Sequence, residues 1–335
     1  MLYVTTRDDR DAYTSHRAMC ENIGPDGGRY VPFSLPAFTS EDIACFQDKS
    51  FSQTVAEVLN LFFSSRLTGW DVDFCIGRNP LRLQQMNHRI VVSELWRTLE
   101  GKYDYLLNSL CKAVFGDSPA KVSAWMKIAV RIAILFGIYG ELFRAGTIEN
   151  DTLLDVSVMT GDFSEPMAVY YARKMGLPIG CIVCTCTDNS SVWDFLHRGT
   201  FSPVGTTESL QLGMERLIVD VFGVTEVKRF INCCKNRVSY TVDEELLPVL
   251  NAGFFATVAG DNRATDTINS IYRTNSYIAD PKTALCFAGL QDYRSRTGES
   301  QITLILSEQT PLDFADQIGK ITGIDKKKLQ QIVNS

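Results

Sequence analysis

An α/β fold, an open and mostly parallel sheet with helices on both faces, is the class this sequence predicts, on three observations. From Tyr103 onward, strand-like apolar runs alternate with helical stretches, the pattern of strands joined by crossover helices. In the middle of that series, GDFSEPMAVYYARKMGLPIG (161–180) places a glycine turn after an apolar strand and before a proline-opened helix. The chain of 335 residues, 45% hydrophobic and 21% charged, can bury a large core of the ordinary globular kind.

Taken in order, the N-terminus MLYVTTRDDRD has charges where an export signal would need apolar residues. The run ENIGPDGGRYVP (21–32) demands a tight turn at its Pro-Asp-Gly-Gly. Apolar spacing at Val55, Val58, Leu59, Phe62 and Phe63 predicts a helix over Ser52–Ser65. Between Trp70 and Trp96, WDVDFCI and HRIVVSEL read as two short strands joined by an arginine-bearing loop. Helices follow at Tyr103–Phe115 and Ser123–Phe143, then a strand at Leu153–Thr160, a helix at Pro166–Met175 and a strand at Ile179–Thr187. Helices at Ser191–Arg198, Ser209–Val221 and Pro281–Tyr293, a strand at Ile302–Leu306 and a helix from Pro311 complete the series. The expected division is an N-terminal segment, 1–100, and an α/β domain, 101–335.

A net charge of −6 argues against a nucleic-acid partner, which calls for a clustered basic face, but not against a small anion at a local site. The most apolar run, Ile132–Gly140 between Arg131 and Glu141, is far short of the ~20 residues that span a bilayer and reads as a buried helix. Cys181-Ile-Val-Cys184-Thr-Cys186 sits in a buried-strand pattern, where cysteine acts as a small hydrophobe. No metal site is expected there, and a reducing, cytoplasmic setting is.

Ligands of such sheets bind beyond the carboxyl ends of strands, where helix starts offer free N–H groups. Two places fit: Thr160–Ser164 and Thr185–Asn189. Arg78, Arg82, His88 and Arg89 form the one local basic cluster, which is an anion clamp built on Arg78, Arg82 and Arg89, a solvated loop, or a contact surface for a partner chain. His197 reads as a helix-end cation, Glu244-Glu245 as a solvated face and Tyr170-Tyr171 as core.

Several separated segments resemble the threonine synthase family, pyridoxal-phosphate (PLP) enzymes of fold type II. Tyr3-Val-Thr-Thr-Arg7 and Gly24-Pro-Asp-Gly-Gly-Arg-Tyr-Val-Pro32 look like the family's opening and its APDGGLYVP turn. Thr160–Ile179 resembles TGNFGD-x-x-AGYYAKKMGLPI, and Cys184–Asn189 the VATNEN strand end. Met214-Glu-Arg-Leu217 stands where the family has NFERL, and Asp280-Pro-Lys-Thr-Ala284 resembles DPHTA. The resemblance implies a fold type II large domain, PLP as cofactor, and a lyase reaction that turns O-phosphohomoserine into threonine and phosphate. It also implies that the cleft is lined by Thr160, Gly161, Asp162, Phe163 and Ser164 at the cofactor-phosphate turn, Thr187 and Asn189 at the next strand end, and Thr283 near the cofactor's ring nitrogen.

The family's Schiff-base lysine lies in an HGPT-x-AFKD segment, yet the corresponding stretch here, Trp70–Trp96, contains no lysine. That lysine tethers the cofactor and moves substrate protons, and arginine, always protonated, cannot replace it. The nearest lysine downstream, Lys102, stands in GKYDYL, which does not resemble that segment. The Ser-Gly-Asp-Thr-Gly loop is missing as well, so the small domain is expected to be reduced or absent. In the phosphate turn, Gly-Asn-Phe-Gly becomes Gly161-Asp162-Phe163-Ser164. A carboxylate about 5 Å from a phosphate, at an effective dielectric near ~20, costs on the order of 3 kcal/mol per unit of phosphate charge. Asp162 either repels an anion in this way or turns outward as a helix cap.

The expectation is therefore a non-catalytic or re-purposed relative that binds a small metabolite or a partner in the retained cleft, with no membrane involvement. Two alternatives stand beside it: an active PLP-dependent lyase with a lysine from elsewhere, including a second copy of the chain, and a structural subunit of a larger assembly.

Overall fold

A computed structural model describes residues 1–77, 81–98, 100–116, 122–187 and 191–334. Its centre is a six-stranded sheet. The strands are β1 (Leu83–Asn87), β2 (Ile90–Glu94), β3 (Leu154–Met159), β4 (Ile179–Cys186), β5 (Phe254–Val258) and β6 (Ile302–Ser307). They lie in the order β5-β4-β3-β6-β2-β1. Every neighbouring pair is parallel except β1–β2, a hairpin closing one edge. The main helices are α1 (Phe51–Phe63), α2 (Gly69–Ile76), α3 (Tyr103–Phe115), α4 (Ala124–Arg144), α5 (Ser164–Lys174), α6 (Glu208–Phe222), α7 (Asp261–Asn275) and α8 (Pro281–Thr297).

Successive strand residues face opposite sides of the sheet, and the two cores divide accordingly. Val91, Leu304 and Leu306 join the core beneath α4 and α5, while Val92 and Ile305 join the one beneath α8. Helices therefore cover both faces, as expected. The run from Ile132 to Tyr139 lies wholly inside α4 and, apart from Gly137, supplies only core side chains. Among the described residues no helix is long and apolar enough to cross a membrane.

A small antiparallel sheet of Leu2–Thr5, Tyr13–Thr14 and Tyr30–Pro32 carries the N-terminal turn. Gly27 adopts the left-handed φ of 79° that the Pro-Asp-Gly-Gly run demands. The Tyr3 hydroxyl donates to the Phe62 carbonyl (2.9 Å) and accepts from the Trp125 indole (3.0 Å), tying this sheet to α1 and α4.

One predicted strand is corrected. WDVDFCI forms helix α2, capped by reciprocal Thr68–Asp71 hydrogen bonds. Its apolar residues alternate as in a strand, but Val72, Cys75 and Ile76 fall on one helical face and are buried, leaving Trp70 and Phe74 each 83% exposed. The second segment does supply β2, and the loop before it contains β1. Elements without a sequence expectation include β5, α7 and the helices Ser15–Glu21 and Val224–Asn236.

Ile305 is fully buried in the middle of the sheet. Ile305→Ala should lower unfolding free energy by about 2–5 kcal/mol, read as a shift in urea midpoint at unchanged slope.

Candidate functional site

The carboxyl ends of β3 and β6 are adjacent, and two helices begin there. After β3 the chain turns through Thr160–Ser164 into α5, with the Phe163 N–H on the Thr160 carbonyl (2.5 Å). Gly161 (φ 43°) and Phe163 (φ 66°) take the left-handed conformations, and Ser164 opens the helix. Phe163 is fully buried and Gly161 exposed. Beside β6, Asp280 caps α8 by accepting from the Lys282 (2.9 Å) and Thr283 (3.1 Å) N–H groups.

Between these helix starts lies a buried cluster of four charges. Arg131, from α4, donates to both Glu308 oxygens (2.6 and 3.0 Å) and stands 3.9 Å from Glu165. Lys282 Nζ reaches Glu165 at 2.5 Å and Glu308 at 3.5 Å. Two cations and two carboxylates leave no net charge; the side chains of Arg131, Glu165 and Glu308 are 7%, 11% and 9% exposed, and that of Lys282, at the cavity edge, 29%. Burial works to lower the Lys282 pKa, but Glu165 and Glu308 outweigh it and hold the ammonium protonated. Burial would raise Glu308; Arg131 and Lys282 overcome it and bring the pKa down to about 2. Glu165 moves the other way, raised by burial and by Glu308.

A cavity of about 370 Å³ opens beside the cluster, lined by Lys102, Tyr103, Asp104, Lys282, Glu308, Thr310 and Asp313 among others. The Tyr103 hydroxyl is buried without a hydrogen-bond partner among the described residues, and the Arg131 guanidinium sits 5.4 Å from its ring centre.

At the β3 turn, the Asp162 carboxylate folds back on its own helix and accepts from the Ser164 N–H (3.1 Å) and hydroxyl (2.6 Å). Capping is thus the role it takes. Although burial would raise its pKa, these bonds and the nearby Arg131 and Lys127 lower it. The surroundings are basic: Arg29 Nε and Nη1 and Arg216 Nε are buried without acceptors among the described residues. Burial, helped by Arg29, lowers the Arg216 guanidinium to about 10. Gly213 on α6 permits close packing, since a Cβ there would stand 2.0 Å from the Asp162 carbonyl oxygen.

Thr160–Ser164 therefore form one turn, as the sequence suggests. Thr283 is buried, its hydroxyl bound to Asp280 and to Ser307 (3.0 Å). Thr187 is exposed just past β4. Asn189 and Arg78 lie outside the described residues. The anion clamp of Arg82 and Arg89 does not form: pairing of Leu83 with Ser93 and of Asn87 with Ile90 puts Arg82 at the open end of the hairpin and Arg89 at its turn. The charge cluster itself was missed. Its legible signals were Lys282 in place of the family's histidine, and Arg131 at the edge of an apolar run; nothing near Glu308 announces it.

This architecture, a mostly parallel sheet with helices on both faces and paired helix starts at its carboxyl edge, is that of fold type II. Residues 2–79 match the family model for the threonine synthase N terminus. The chain is thus similar to threonine synthases in its N-terminal segment and in its fold. Threonine synthase-like 1 of Homo sapiens is 27% identical over 181 residues, 50% of this chain and 24% of that protein. The chain thus spans about a quarter of the length of that relative. Threonine synthase of Pseudomonas aeruginosa is 24% identical over 430 aligned positions, 96% of this chain and 90% of that protein, so the alignment crosses long gaps in this chain. The structure of PLP-bound threonine synthase from Brucella melitensis superposes with a TM-score of 0.80 at 18% identity, over 97% of this chain and 92% of that one.

Lys282→Met leaves two buried carboxylates for one cation and should cost about 3–5 kcal/mol at neutral pH. A folded pKa below the ordinary 4.5 stabilises above that pH and is lost as pH falls toward 2, with Glu165 partly offsetting it. Urea midpoints should accordingly fall between pH 4.5 and pH 2 in the wild type, and more shallowly in Lys282→Met. Gly213→Ala forces its methyl against the Asp162 carbonyl and should destabilise by about 1–3 kcal/mol, measured by thermal melting.

Proposed function

We propose that this chain is a threonine-synthase-like protein without Schiff-base catalysis, and that it binds a small zwitterionic metabolite in the mixed-charge cavity at the carboxyl edge. The closed Arg131–Glu308–Lys282–Glu165 cluster carries this reading. An amine must be neutral to attack an aldehyde, and Lys282 is held as an ammonium between two carboxylates. The other positions fit PLP no better. The Ser164 donors that a phosphate would take at the start of α5 are taken by Asp162. The Thr283 hydroxyl, expected near the ring nitrogen, is committed to Asp280 and Ser307. The cavity suits a different ligand: Lys102 can receive a carboxylate, and Asp104 and Asp313 an ammonium.

A second reading is favoured by one observation. Lys102 is exposed at the rim of the same cavity, and its amine has no partner among the described residues. On that reading the chain is a PLP-dependent carbon–oxygen lyase, with Lys102 as the tether.

Mixing the purified protein with PLP, recording the visible spectrum and mapping peptides after borohydride separates the two. The expected result is no new absorption band and no reduced adduct. A stable adduct on Lys102 or Lys282 would reverse the preference. Free α-amino acids should raise the melting temperature saturably; one present at ~100 times its Kd adds about 2.7 kcal/mol. Lys102→Ala should reduce that response. If no amino acid shifts the melting temperature, the metabolite reading fails.

A further inference from the structure

A second, smaller cavity of about 120 Å³ lies where β2 leaves the sheet and the Asn275–Ile278 connection passes from α7 to α8. Arg82, Glu94, Trp96, Arg97 and Tyr277 are among its walls, and none of them lines the mixed-charge cavity. The buried Glu94 carboxylate accepts from Arg97 Nε and stands 3.9 Å from Arg82 Nε. Two guanidiniums thus share one carboxylate, which leaves one positive charge uncompensated. Arg97 also donates to the Val333 carbonyl (2.7 Å), and Arg82 to the Gln84 amide oxygen (2.9 Å).

One neutral donor in the wall is unused. The Trp96 indole N–H is buried and has no hydrogen-bond partner among the described residues, whereas the buried Tyr277 hydroxyl lies against the Glu94 carboxylate. Trp96 is 5% exposed. A buried donor of this kind is ordinarily paired, so a wall that holds one beside an excess cation lacks an acceptor. With about 30 Å³ per water molecule, the space equals a few waters, or one small oxyanion.

We infer that this cavity binds a single small oxyanion, a carboxylate or a phosphate, on Arg82 with the Trp96 N–H as a neutral donor. The site is independent of the metabolite reading above. Arg82 keeps the anion-binding role expected from the sequence, with Arg97 rather than Arg89 beside it.

Inorganic phosphate and, separately, acetate are titrated into the full chain while tryptophan emission and melting temperature are recorded. A saturable response to either is expected, and the anion that gives it identifies the group bound. Arg82→Gln, a partly exposed position whose change leaves the core alone, should weaken binding about tenfold. Trp96→Phe should abolish the emission change and weaken the melting response. No saturable response to either anion, or one undiminished in Arg82→Gln, would mean that the cavity holds water alone and would overturn the assignment.

Discussion

Everything at the carboxyl edge is organised around four charges that have to neutralise one another out of water. Desolvating an ion is costly, and the cost is recovered only where opposite charges meet in good geometry with their remaining donors satisfied. Arg131, Glu165, Lys282 and Glu308 come from α4, the first turn of α5, the first turn of α8 and the residue after β6. Their pairing consequently fixes how three helices meet the sheet. A neutral cluster also presents no excess charge to a cofactor, and it commits the one amine at that spot to two acids.

Internal groups satisfy one another at the turn before α5 as well. Asp162 supplies the acceptor that the start of α5 requires, in a neighbourhood made basic by Arg29, Lys127, Arg131 and Arg216. The N-terminal sheet is locked onto this region by Arg7, which donates to both oxygens of the buried Glu215 (3.0 and 2.7 Å), with Thr6 adding a third bond at 3.1 Å. Glu215 belongs to the same Met-Glu-Arg-Leu stretch that carries Arg216, one turn from Gly213 under Asp162. The segments whose order carried the family resemblance are thus joined in space.

Strongly periodic or continuously apolar segments were legible: α1, α3, α4, β3, β4 and β6 match their expected spans to within about two residues. Legibility failed where burial is partial. In α2, apolar residues at every second position imitate a strand, and only the Thr68–Asp71 cap and the neighbouring α1 and α3 select a helix. Helix α7 is polar over most of its length and buries only Ala264, Ile268 and Ile271, too thin a stripe to stand out. Strand β5 is five residues at the sheet edge, held by pairing with β4.

Residue order by itself determined the alternation of strands and helices, the turn after β3 and the absence of a lysine between Trp70 and Trp96, because these depend on local spacing and residue type. Only the tertiary structure decided that Asp162 serves as a cap, that Lys282 is held by Glu165 and Glu308, and that Arg82 and Arg89 part company. Those outcomes depend on contacts between residues far apart in the chain, and neither the strength of a charge pair nor the loss of its water can be known before folding brings the partners together.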